Sequence, residues 1–132
     1  MGIVKKFSEW IGLKERLHGV IKRPPLFKEG ELWWCSVGEN IGSEINGKSK
    51  LFSRPVIIYK KLSSNTFLAI PTTSLDKKGT WYVDFVLHET IETGILSQIR
   101  VIDYKRLSTK IGQLSPEDFK RVKVGFKKLY CP

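Results

Sequence analysis

Between residues 31 and 102 the apolar side chains fall in short runs, each too brief for a helix and each ended by a turn residue or a charge. The tightest is Pro55-Val56-Ile57-Ile58-Tyr59. It is bounded by a proline and by a charge, and the β-branched residues between them suit a pleated, buried surface. Glu31–Val37 (ELWWCSV) is similarly apolar and aromatic. Thr66–Ile70 (TFLAI) follows the turn Ser63-Ser64-Asn65 and is stopped by Pro71. Across Thr80–Leu87, Trp81, Val83, Phe85 and Leu87 alternate with Tyr82, Asp84 and Val86, the period of a half-buried strand. Ile95–Ile102 (ILSQIRVI) is a further candidate. Five or so strands at close spacing imply a small barrel. Residues 38–53 are polar, hold three glycines and predict a long loop.

Helices are expected at the two ends. Over residues 3–18, Ile3, Phe7, Trp10, Ile11 and Leu17 recur near the helical period, with Lys5, Lys6, Lys14 and Arg16 between them. Gly19 is the expected stop, and Pro24-Pro25 then predicts a stiff linker. Residues 1–28 thus read as an N-terminal amphipathic helix with a Pro-rich linker, and residues 29–132 as the barrel domain. Near the C-terminus, Ser115-Pro116-Glu117-Asp118 places Ser at the N-cap, Pro at the first helical position and an acid at the third. Phe119, Val122, Phe126 and Leu129 then line one face.

Lys and Arg outnumber Asp and Glu by 23 to 13, a net charge of +10, of which +5 lies in residues 1–28. Such a surplus suits a polyphosphate partner, and equally a solvated Lys-rich surface. No apolar run approaches the roughly 20 residues of a membrane span. With no secretory apolar segment, a cytoplasmic protein without a membrane role is expected. Cys35 lies in an apolar run and reads as core, Cys131 lies beside the last residue, and no CxxC or metal-ligand spacing occurs. No metal or other cofactor is expected.

Several short motifs occur in order: Gly30-Glu31-Leu32-Trp33-Trp34, Gly42-Ser43-Glu44, Arg54-Pro55-Val56-Ile57-Ile58, Pro71-Thr72-Thr73-Ser74, Leu96-Ser97-Gln98-Ile99-Arg100-Val101-Ile102-Asp103 and Arg106-Leu107. Across residues 29–130 this succession resembles the PemK/MazF toxins of bacterial type II toxin–antitoxin systems. The resemblance implies a mainly β, α+β fold, an SH3-like small barrel of the PemK/MazF (CcdB-like) type. It implies a homodimer bound by a small acidic antitoxin, and metal-independent, sequence-specific cleavage of single-stranded RNA. In that chemistry the ribose 2′-OH attacks the adjacent phosphorus, leaving a cyclic phosphate and a 5′-OH. The family's catalytic Arg and Thr match Arg54 and Thr73, and its first-loop Glu matches Glu44.

The residue types suit that reaction. A guanidinium meets two phosphate oxygens in a fork, and fixed donors aimed at developing charge stabilise it by several kcal/mol. Arg is a poor base, so Glu44 or solvent would take the proton. Adjacent strand residues point to opposite faces, so only one of Thr72 and Thr73 should face the site. Lys48, Lys50, Ser74, Gln98 and Arg100 are candidate RNA contacts, and the loop between Glu44 and Arg54 is expected to overhang the site. His18 and His88 match no catalytic position. Trp33 and Trp34 read as core or dimer packing, with base stacking as the other possibility. The competing function is a non-catalytic member of the same barrel fold that binds nucleic acid or protein. Gyrase poisoning of the CcdB type is disfavoured, because it resides in the C-terminal helix and not in an Arg–Thr pocket.

Overall fold

In the computed structural model, which describes residues 5–132, the chain forms a curled antiparallel sheet with a helix at either end of the sequence. The strands are β1 (Glu31–Ser36), β2 (Ser53–Lys61), β3 (Thr66–Thr73), β4 (Tyr82–Leu87), β5 (Thr90–Ile95), β6 (Arg100–Asp103) and β7 (Leu107–Gln113). The helices are α1 (Phe7–His18) and α2 (Pro116–Tyr130). The sheet runs β4-β5-β3-β2-β1-β7, with β6 also paired to β3. Its hairpin tip curls back toward β7, where a ring nitrogen of His88 lies 3.2 Å from the Ile111 carbonyl oxygen. His88 thereby joins the two ends of the sheet. Among the described residues no helix is long and apolar enough to cross a membrane.

The central strands are buried on both faces. Trp33, Cys35, Val56, Ile58, Phe67 and Ala69 enter one apolar cluster, and Leu32, Ile57 and Ile70 enter the other. The alternation follows the pleat. Double burial is why Val56-Ile57-Ile58 reads as a continuous apolar run rather than an alternating one. α2 covers the second cluster through Val122, with Phe119 and Leu129 packed against it. Its start is capped as expected, since the Ser115 hydroxyl accepts the Asp118 N–H at 3.1 Å.

Several boundaries differ from expectation. β3 does not stop at Pro71 but runs on to Thr73, with Pro71 opposite Val56. Pro71 sits where β3 changes partner, from β6 (Ala69 opposite Arg100) to β5 (Thr72 opposite Gly94). The missing N–H therefore falls in a gap and breaks no ladder on that side. The expected strand Ile95–Ile102 is interrupted: β5 ends at Ile95, a 3-10 turn spans Leu96–Gln98, and β6 begins at Arg100. The two pieces occupy the same edge of β3. β5 joins β4 through a two-residue turn in which His88 (φ 48°) and Glu89 (φ 65°) are both left-handed, as such hairpins require. β7 was not expected. Its sequence LSTKIGQ is mostly exposed and shows no apolar alternation, as befits an edge strand.

At the N-terminus, α1 begins at Phe7, and Ile3 lies outside the described residues. Its buried side chains are Trp10 and Leu13, whereas Phe7 and Ile11 are exposed. Gly19 ends the helix in right-handed geometry (φ −78°). The following segment is tied down. Phe27 is fully buried in the first cluster, a burial that stabilises by roughly 1.5–3 kcal/mol. The Tyr104 hydroxyl donates to the Lys22 carbonyl at 2.6 Å, and Lys105 Nζ donates to the His18 carbonyl at 2.9 Å. Both cysteines are free, Cys35 buried and Cys131 exposed, and burial pushes the Cys35 thiol up to about 12.

Glu31 is the notable buried charge, 3% exposed. Its carboxylate accepts Lys110 Nζ at 2.8 Å, Trp33 Nε1–H at 3.0 Å and the Lys28 N–H at 2.8 Å. Burial alone would raise its pKa, but these donors outweigh that and hold it below the ordinary 4.5. A carboxylate with a lowered folded pKa contributes stability above its unfolded pKa and loses it as pH falls through the folded value. Glu31→Gln should therefore cost about 1–3 kcal/mol at pH 7. In urea melts the gap to the parent protein should close as the pH drops below 4.5.

Candidate active site

At one end of the curl, β1, β2, β3, β5 and β7 enclose a cavity of about 390 Å³. Leu32, Trp34 and Ile111 supply apolar walls, and Arg54, Thr73 and Ser74 supply polar groups. Lys48 and Ser49 form part of the rim from the 38–53 loop. Arg54 stands near the start of β2 and Thr73 at the end of β3. The antiparallel pairing of these strands, Val56 opposite Pro71, brings the two together. Extending β3 through Pro71 is what carries Thr73 into this cavity.

The Arg54 guanidinium is held in plane by two carbonyls. Nε donates to the Asn46 oxygen at 2.8 Å and Nη1 to the Thr72 oxygen at 3.1 Å. These bonds leave donors on the rest of the fork for a ligand. Burial lowers the Arg54 pKa from its ordinary value, and a partly desolvated guanidinium interacts more strongly with an anion than an exposed one. The two threonines separate as the pleat requires. Thr72 is 1% exposed and its hydroxyl donates to the Pro55 carbonyl at 2.9 Å. The Thr73 hydroxyl oxygen accepts the Leu75 N–H at 3.2 Å, so its own hydrogen is available to a ligand.

The loop that presents Asn46 is folded back on itself. Gly38 N–H donates to Phe52 O at 3.1 Å, Gly47 N–H to Gly38 O at 2.8 Å, and Lys48 and Ser53 exchange backbone bonds at 2.9 and 3.0 Å. The Asn46 side chain accepts the Asn40 N–H at 2.6 Å, while Asn40 Nδ2 donates to Val37 and Ile45 carbonyls. Gln98 clamps the loop from the Leu96–Gln98 turn, donating to Ser43 O at 3.1 Å and accepting the Ile45 N–H at 3.2 Å. From the other side, Trp10 of α1 packs on Phe52 with ring centroids 5.7 Å apart.

Of the side chains expected to form the site, Arg54, Thr73, Ser74 and Lys48 share the cavity. Glu44, Lys50, Gln98 and Arg100 do not line it. The Glu44 carboxylate accepts the Ile41 N–H at 2.9 Å within its own turn. Gln98 and Arg100 were expected in one late strand, but Gln98 lies in the 3-10 turn and serves the loop. Arg100 opens β6 opposite Ala69, and its charge acts on Cys35 and Arg106. Trp33 and Trp34 also part company: Trp33 is buried, while Trp34 is 42% exposed and faces the cavity. Glu92 of β5 lines the cavity as well and was missed. The available signal was weak, a His-Glu pair between two β-like segments in place of the usual Asn-Gly.

A sequence profile of the PemK-like, MazF-like toxins of type II toxin–antitoxin systems matches residues 28–130. The chain belongs to this family. Solved structures agree in fold. MazF from Deinococcus radiodurans superposes with a TM-score of 0.67 at 19% identity, over 82% of this chain and 99% of that one. A MazE–MazF structure from the same organism gives 0.60 at 16% identity, over 80% and 95%. An endoribonuclease from a mycobacterial species gives 0.59 at 11% identity, over 83% and 93%. No curated protein matches the chain significantly. At these identities the solved structures establish the PemK/MazF architecture, and α1 lies wholly outside the segment matched to the family.

The loop geometry of this toxin-family member depends on Gly47. A β-carbon there would sit 1.7 Å from the Phe52 carbonyl oxygen, so the loop base would have to open and carry the Asn46 carbonyl away from Arg54. Gly47→Ala should cost about 1–3 kcal/mol in urea denaturation. Gly19→Ala is the control, because its backbone is right-handed (φ −78°) and its β-carbon meets nothing nearer than 3.6 Å, so its stability should change by less than about 1 kcal/mol.

Proposed function

We propose that this toxin-family protein is an endoribonuclease that cuts single-stranded RNA by internal attack of a ribose 2′-OH. The observation that carries this is the shared cavity of Arg54 and Thr73, a fixed guanidinium beside a free hydroxyl hydrogen. The 2′-oxygen forms a bond to phosphorus and the bond from phosphorus to the 5′-oxygen breaks. Negative charge gathers on the non-bridging oxygens during that exchange. Arg54 meets it with its unspent N–H groups and Thr73 adds a hydroxyl donor. The nucleophile is the substrate's own, so the reaction does not require a metal-activated water. The leaving 5′-oxygen takes a proton from solvent, so the products are a 2′,3′-cyclic phosphate and a 5′-OH end. Trp34 offers an exposed indole face on which a neighbouring base stacks.

Glu92 is the carboxylate within the cavity and accepts the 2′-OH proton, while Glu44 is engaged in its own loop turn. Sequence preference comes from the bases seated beside Trp34 and the Lys48 rim. The protein acts as a homodimer. Its inhibitor is a small acidic antitoxin, whose charge complements a chain of net charge +10. The solved MazE–MazF complex and a mycobacterial endoribonuclease bound to its cognate antitoxin support such a partner.

The test uses purified protein and a long RNA in EDTA, with the cut ends mapped chemically. Arg54→Ala and Thr73→Ala should each slow cleavage by roughly 10²–10³-fold. Unchanged cutting in both variants would remove the assigned site, and undiminished RNA binding with no cutting at any sequence would make the protein a binding module. Glu92→Gln should abolish the acid limb of the pH–rate profile, and Glu44→Gln should leave it in place.

A further inference from the structure

We infer that the groove between α1 and the 38–53 loop is a second, phosphate-binding subsite that carries the RNA strand beyond the cleavage cavity. The inference rests on the ribonuclease activity proposed above. The groove encloses about 780 Å³. α1 and its N-cap contribute Lys6 and Arg16, and the loop contributes Lys48 and Lys50. Lys48 and Ser49 line both this groove and the cavity of Arg54 and Thr73, so the two spaces share a wall. A strand leaving the cavity over that wall enters the groove.

Its charge is unspent. Among the described residues, no carboxylate lies within ion-pairing distance of Lys6, Arg16, Lys48 or Lys50. Two acids, Glu9 and Glu39, also line the groove. The Glu39 carboxylate is occupied by the Lys6 backbone N–H at 2.9 Å. A cationic balance remains, and the repeating phosphates of a single strand are its natural complement.

The groove is also built rather than draped. Trp10 is 5% exposed, and its indole fills the space over Gly38, where a β-carbon would come within 2.4 Å of the ring. The Arg106 guanidinium lies over the same indole, 5.5 Å from its centre. Lys5 Nζ donates to the carbonyls of Asn40 and Gly42. On the loop side, Ser49 (φ 63°) and Phe52 (φ 47°) hold left-handed backbone that side-chain-bearing residues rarely adopt. The Lys48–Ser53 bridge holds that turn, with the consequence that Lys48 and Lys50 project into the groove. Strain held in place beside a cavity is the pattern of a functional surface. Lys6 and Arg16 lie outside residues 28–130, so this wall of the groove lies beyond the segment matched to the family.

The test uses the full chain and two RNAs carrying one mapped cleavage sequence. One RNA spans the cavity alone and the other bears uridine tails on both sides. The variant is Lys6→Gln/Arg16→Gln, whose side chains are exposed and outside the cavity. For the tailed RNA, kcat/KM should fall about 5–10-fold with kcat at saturation unchanged, the short RNA being cut as before. The slope of log K against log salt for the tailed RNA should shrink by about 1.4, near 0.7 per lost phosphate contact. Parent-like values on both RNAs would overturn the proposal, as would an equal loss on both. Poly-L-glutamate binding that weakens in the variant while RNA binding does not would give the groove to an acidic polypeptide instead, and also overturn it. Parent protein that cuts but gains nothing from the tails removes the groove alone. Parent protein that neither cuts nor binds RNA removes the ribonuclease activity, and this subsite with it.

Discussion

Burial of β1, β2 and β3 on both faces is the constraint from which the rest of the molecule follows. With Val56 and Ile58 committed to one apolar cluster and Ile57 to the other, a one-residue slip would exchange the two faces and expose neither to water. Register must therefore be held by shape and by the strand ends. Pro71 opposite Val56 and the curled closure at His88 and Ile111 do this. Because the register is held, Arg54 at the head of β2 and Thr73 at the tail of β3 are brought into one cavity with no direct bond between them.

The cavity then depends on a loop that has no regular structure of its own. Sixteen residues joined by turns would be mobile if their backbone groups faced water. Here they are paired across the loop base, clamped by Gln98 and braced by Trp10. The Asn46 carbonyl is the end of that chain of contacts, and it is what orients the Arg54 guanidinium. Gly38 and Gly47 are the points where no side chain is tolerated, one beneath the indole and one against a carbonyl oxygen. In the proposed reaction, that fixed cation is in place before the RNA arrives.

Much of the fold was legible. The doubly buried run at Val56–Ile58, the cap at Ser115 and the helix around Trp10 all carry local chemistry that admits few alternatives. β5 and β7 were hidden for a physical reason: β7 is a largely exposed edge strand, and β5 (TIETGI) has a mixed pattern that a hairpin turn separates from β4. The interruption at Leu96–Gln98 was hidden because apolar content alone does not distinguish a turn that buries one leucine from a strand. In the site, strand residues were easier to place than loop residues. The pleat required only one of Thr72 and Thr73 to face the site, the family motif pointed to Thr73, and the structure sends Thr72 to the Pro55 carbonyl. Glu44 was placed by motif and Gln98 by an expected late strand, and both are spent on the loop backbone.

By itself the sequence determined the central strands, the capped C-terminal helix, the basic surplus and the ordered motifs around Arg54 and Thr73. These are properties of neighbours along the chain, set by β-propensity, capping chemistry and charge. Tertiary structure alone decided which side chains share a cavity. Glu92 and Trp34 come from strands far apart in sequence, and only sheet order and curl bring them beside Arg54. It also decided that α1, which on its own is an amphipathic helix without a destination, lies against the loop. That placement follows from the fit of one indole over Gly38 and against Phe52 and from the bonds of Lys5 and Lys6 to the loop, contacts that no pattern within either segment specifies.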